Sequence, residues 1–146
     1  MSLGFPLKLA HTLDVLVVDD NPFMRAAVSR ILQRGGRQCV AVASIDAAKM
    51  TLLEHPPALV VTDFSLAGRE SGVDLVRWIR SQPSLDAVGC GLMSGSDKQE
   101  IEEALCDAGL GTLPVLQKPF ALDELETWVD GLMAPPRNAR PRNEVS

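Results

Sequence analysis

"VLVVDDNPFMR", residues 15 to 25, carries an apolar run into two adjacent acids and then into the start of a helix. The uninterrupted β-branched run has the character of a strand buried on both faces, as in a parallel sheet. Asn21 followed by Pro22 supplies an N-cap and a proline at the first helical position. Met24, Ala27, Val28, Ile31 and Leu32 then recur at helical spacing, until Gly35-Gly36 stops the pattern.

The same unit recurs along the chain. "ALVV" (58 to 61) and "GLM" (91 to 93) read as further buried strands, with weaker candidates in "QCVAVAS" (38 to 44) and "PVLQ" (114 to 117). Ser96 with Gln99 three residues on reads as a capping box before "EIEEALCDAG", which Gly109 closes. Leu122, Leu125, Val129 and Leu132 mark a last helix. Strand and helix therefore alternate five times, and right-handed crossovers predict an α/β fold, a five-stranded parallel doubly wound sheet with helices on both faces.

Composition sets outer limits. The 146 residues, 46% hydrophobic, suit one domain with one substantial core. The domain is expected over residues 12–133, after a weakly patterned lead-in at 1–11. Residues 134–146, "APPRNARPRNEVS", have almost nothing to bury and are expected to form a disordered tail. A net charge of −5 argues against broad binding to nucleic acid, so no direct nucleic-acid partner is expected. No stretch approaches the roughly 18 apolar residues of a membrane span, and no export signal stands at the N-terminus, so no membrane insertion is expected. Cys39, Cys90 and Cys106 are odd in number and lack C-x-x-C spacing. They read as reduced core thiols, which suits a cytoplasmic protein.

In open parallel α/β sheets, functional groups gather at the carboxyl ends of the strands. The first strand ends in Asp19-Asp20, the third in Asp63, the fourth in Ser94 and the fifth in Lys118-Pro119. Singly, each reads as turn chemistry or a solvated charge; together they put three carboxylates, a hydroxyl and an ammonium at one edge. Two carboxylates about 5 Å apart repel by roughly 3 kcal/mol at an effective dielectric of 20. A hard divalent cation such as Mg²⁺ is the economical neutraliser, since it takes a few oxygen ligands and leaves positions for phosphate oxygens. With Lys118 opposite, this is an arrangement for phosphoryl transfer, with a carboxylate as nucleophile.

"VVDDNPFMR", "LVVTDFSLAGRESGVDL", "LMSGS" and "LQKPFALDEL", in this order over about residues 13 to 132, resemble the receiver domain of two-component response regulators. The resemblance implies a flavodoxin-like strand order 2-1-3-4-5, which the spacing of the runs does not give. It implies that Asp63 is the phosphoacceptor, that Asp20 binds Mg²⁺ directly and Asp19 largely through water, and that Ser65 offers its backbone carbonyl to the metal. Ser94 would be the hydroxyl that moves to the phosphoryl group, Lys118 would pair with a phosphoryl oxygen, and the Lys118–Pro119 bond would be cis. The implied donor is a phosphohistidine on a sensor histidine kinase or a histidine phosphotransfer protein. The implied output is a target protein on the face made by the fourth helix, fifth strand and fifth helix.

Three departures stand out. Ala67 occupies the loop position where a proline is usual, "GLGTLP" (109 to 114) carries about two extra residues, and Val115 stands where an aromatic ring is common. Two other functions compete. A Mg²⁺-dependent aspartyl-phosphate phosphatase or phosphotransferase of the haloacid-dehalogenase kind would want a second acid two residues after the nucleophile, and that position is Ser65. A degenerate receiver that only binds proteins would not keep all five chemical positions filled. Self-phosphorylation without turnover of an external substrate is expected. With only about 13 residues after the last helix, no DNA-binding output domain is expected within these residues, whether the receiver stands alone or is excised from a longer chain.

Overall fold

A computed structural model describes residues 13–133. The expectations for the lead-in and the tail fall outside them. The elements are β1 (Val15–Val18), α1 (Pro22–Arg34), β2 (Cys39–Val42), α2 (Ile45–Glu54), β3 (Leu59–Asp63), α3 (Gly72–Arg80), β4 (Gly89–Ser94), α4 (Lys98–Asp107), β5 (Val115–Gln117) and α5 (Leu122–Met133), with one 3₁₀ turn at Pro83–Leu85. All four strand pairings are parallel, and the order is β2-β1-β3-β4-β5. The fold is thus the flavodoxin-like arrangement that the resemblance implies.

Successive residues of a strand point to opposite faces, and β1 divides its side chains accordingly. Leu16 and Val18 enter a core shared with α2, α3 and α4, whereas Val15 and Val17 enter one shared with α1 and α5. β1 and β3 are buried throughout, which is why their sequences read as unbroken apolar runs. β2 and β5 are the edges, and their side chains are mostly half-exposed. The apolar spacing in α1 places Val28 and Leu32 in the core, and that in α5 places Leu125 and Val129 there.

Helix caps hold the loops that follow the strands. Asn21 Oδ1 accepts from the Phe23 and Met24 amides, as its place before Pro22 predicts. The start of α4 is a correction: Asp97, not Ser96, is the N-cap, and its carboxylate accepts the Glu100 amide at 2.8 Å. A carboxylate answers both the free N–H groups and the helix dipole. Ser96 instead donates its amide to Ser94 Oγ, and Gln99 turns to Glu103. The cysteines need a second correction. All three are free and Cys90 is buried, but Cys39 is half-buried and Cys106 exposed, since the buried side of α4 is supplied by Ile101 and Leu105.

Candidate functional site

β1 and β3 are adjacent and parallel, so the acids that end them arrive side by side. One carboxylate oxygen from each of Asp19, Asp20 and Asp63 lies within 4.8 Å of the others. Lys118 reaches over from the end of β5, with Nζ 3.3 Å from Asp63 Oδ1 and 3.7 Å from Asp19 Oδ2. Asp19 is fully buried, and Asp63 is 8% exposed.

Each acid is held differently. Asp19 Oδ1 accepts the Asn21 amide at 2.9 Å, and its backbone carbonyl accepts from Arg25 Nη1. Its Oδ2 is buried without a hydrogen-bond donor. Leaving an anionic oxygen so placed is costly unless positive charge stands near. Asp20 Oδ2 accepts the Ala67 amide at 3.0 Å. A proline at position 67 would have no N–H to give, so this departure ties the loop after Asp63 to the acid pair.

Burial pushes the Asp63 carboxyl above its ordinary range. The Lys118 ammonium pulls it down, while the Asp19 and Asp20 charges push it further up. The three oxygens and the donor-less Asp19 Oδ2 fit a hard divalent cation, whose charge would relieve this repulsion.

Ser94, at the end of β4, is 1% exposed, and its Oγ accepts the Ser96 amide at 2.9 Å. The hydroxyl hydrogen stays available for another acceptor. Ser65 lies exposed in the loop two residues past Asp63. The Lys118–Pro119 bond is cis, as the resemblance implies. The Lys118 amide donates to the Ser94 carbonyl at 2.7 Å, which joins the ends of β4 and β5.

Two supporting residues went unread in the sequence. Gly72 opens α3 with its amide on the Phe64 carbonyl at 2.8 Å, and a Cβ there would run into the Asp63 carbonyl oxygen. A signal for that helix start was present: Ser71 and Asp74 form a reciprocal capping box. Gln117 contacts the Ser94 loop from β5, and no local pattern marks it.

Comparisons with known proteins agree with this fold. The model of the response regulator receiver domain matches residues 15–130. A probable chemotaxis protein CheY of Rhizobium etli is 24% identical over 128 residues, which cover 86% of this chain and 96% of that one. The virulence transcriptional regulatory protein PhoP of Salmonella typhimurium is 31% identical over 82% of this chain, which spans only 51% of PhoP. Among solved structures, chemotaxis protein CheY4 of Vibrio cholerae superposes with a TM-score of 0.74 at 20% identity, over 84% of this chain and 99% of that one. The receiver domain of NtrX from Brucella abortus gives 0.71 at 27% identity, again over 84% and 99%. Response regulators are signalling switches that work with histidine kinases, and among the described residues no helix is long and apolar enough to cross a membrane. The chain belongs to the receiver domain family of two-component response regulators.

Proposed function

We propose that Asp63 accepts a phosphoryl group from a phosphohistidine, on a sensor histidine kinase or a histidine phosphotransfer protein, and thereby switches the domain. One observation carries this reading: the three carboxylates from β1 and β3 converge with Lys118 on one point. A carboxylate oxygen of Asp63 attacks phosphorus, and an O–P bond forms as the N–P bond to the donor imidazole breaks. Lys118, whose Nζ lies 3.3 Å from Asp63 Oδ1, pairs with a phosphoryl oxygen in this reading. Ser94 has a hydroxyl hydrogen to offer a second one. Asp20 and Asp63, the Ser65 carbonyl, and Asp19 largely through water would hold Mg²⁺. When bound, the metal supplies positive charge to the phosphoryl oxygens. Self-dephosphorylation by water would reset the switch, with no external substrate turned over. The receiver unit is taken as residues 12–133, acting in the cytoplasm.

The test is labelling with acetyl phosphate and Mg²⁺, read by intact mass. The wild type is expected to gain one phosphoryl group, and Asp63→Asn none. Comparable labelling of Asp63→Asn would remove Asp63 from its role.

A further inference from the structure

Ser96 is gripped from both sides. Its N–H points at Ser94 Oγ at 2.9 Å, and its carbonyl oxygen lies 2.7 Å from Gln117 Nε2. The same amide nitrogen is 3.4 Å from the Ser94 carbonyl, a weaker contact with an oxygen that already takes the Lys118 amide. Both neighbours are acceptors, so only the amino end of the Gln117 amide can face them. One side chain on β5 therefore fixes the loop whose first residue is Ser94. It does so one position before Lys118.

Gln117 also looks the other way. Along a strand, residues 115 and 117 share a face, and here that face is the one toward α4. Gln117, Val115, Leu113, Ile101 and Leu105 line an apolar groove of about 780 Å³ between α4 and β5. Val115 is short and stiff at χ1, with no ring to swing between buried and exposed positions. Gln117 touches both the Ser94 loop and the groove, and it does so from β5.

We infer that Gln117 is the positioning residue that couples the Ser94 loop to the α4–β5 groove. At rest its amide latches Ser96. When Ser94 Oγ turns toward a phosphoryl oxygen on Asp63, the Ser96 N–H loses its acceptor, the loop shifts, and the amide releases the Ser96 carbonyl and resets the groove rim. This inference rests on Asp63 being the phosphoacceptor.

The experiment uses the full chain as wild type, Gln117→Met, which keeps length without a donor, and Gln117→Lys, whose ammonium can donate to both carbonyls. In the first arm, amide hydrogen exchange is followed by NMR without metal or phosphoryl mimic. Ser96 exchange is expected to quicken about tenfold in Gln117→Met, the factor of one lost hydrogen bond, and to return toward wild type in Gln117→Lys. Unchanged exchange at Ser96, or equal quickening along all of β4 and β5 in both variants, overturns the latch. In the second arm, beryllofluoride with Mg²⁺ stands in for the phosphoryl group. The Leu113 and Val115 methyl signals should shift in wild type and Gln117→Lys but lose that response in Gln117→Met, although its Ser94 loop still responds. A wild type that takes up no beryllofluoride removes the phosphoacceptor reading and the coupling with it. Equal methyl responses in wild type and Gln117→Met remove the latch alone.

Discussion

β1 and β3 on one side, and α4 with β5 on the other, are built to different standards. Every residue of β1 and β3 is buried, and the acids that end them are fixed by backbone amides and by Lys118. β5 has three residues, none fully buried, and α4 buries only Ile101 and Leu105 beside an open groove. Like charges can be kept together only where the backbone cannot yield, and the interior strands meet that need. A response to a new charge needs the reverse, a segment whose rearrangement breaks few apolar contacts. The three carboxylates therefore sit on the stiff half of the sheet, and Lys118 reaches Asp63 from the lightly packed half.

The largest expected effect lies in the acid cluster. Asp20→Ala should weaken Mg²⁺ binding by at least the roughly 10- to 100-fold that residues supporting a metal site cost. Lys118→Ala removes a positive charge from the same site and should leave Mg²⁺ binding intact. Calorimetric titration separates them, and equal affinity in wild type and Asp20→Ala would free the acid pair of its metal role.

Next in size is a pair of glycines, one from each region. Gly72→Ala presses a Cβ onto the Asp63 carbonyl oxygen, a backbone atom that cannot step aside, and should cost about 3 kcal/mol. Gly111, in the segment before β5, has φ +74 and open space around its Cβ position. Gly111→Ala should cost only about 1 kcal/mol, the strain of a left-handed backbone. Denaturant unfolding measures both, and equal costs would erase the contrast in packing.

The smallest effect is electrostatic and has a definite sign. Burial raises the Asp63 carboxyl above its unfolded value of 3.8, so its charged form opposes folding. That penalty is complete above the folded pKa and fades as pH falls toward 3.8, because the native state then binds the proton more tightly. In Mg²⁺-free buffer Asp63→Asn should therefore raise stability and Tm at pH 7. The gain should shrink on acidification. Asp107→Asn, on the exposed side of α4, should change stability by no more than about 0.5 kcal/mol. A gain for Asp63→Asn that grows as pH falls would reverse the assigned cause.

The acids were legible in the sequence because each follows an apolar run, and parallel strands must end at one edge. The edges of the sheet were harder to delimit. "QCVAVAS" overran the strand at both ends, since a half-exposed edge loses its apolar signature gradually. Ser96 read as a helix cap because a serine before an apolar helix carries no mark that its amide serves Ser94. Cys106 read as core because composition does not tell which side of α4 faces inward. Gly72 and Gln117 act on Asp63 and on Ser96 through the folded chain, and contacts of that kind leave no local periodicity.

Backbone and methyl NMR with and without beryllofluoride, in wild type and Ser94→Ala, tests most directly whether the stiff acid site drives the lightly packed side. In wild type, the largest shifts are expected at residues 94–97 and along 111–117, with the interior of β1 nearly silent, and Ser94→Ala should keep the changes near Asp63 while losing those at 111–117. Shifts at 111–117 that survive intact in Ser94→Ala would contradict the coupling and send the signal by another route.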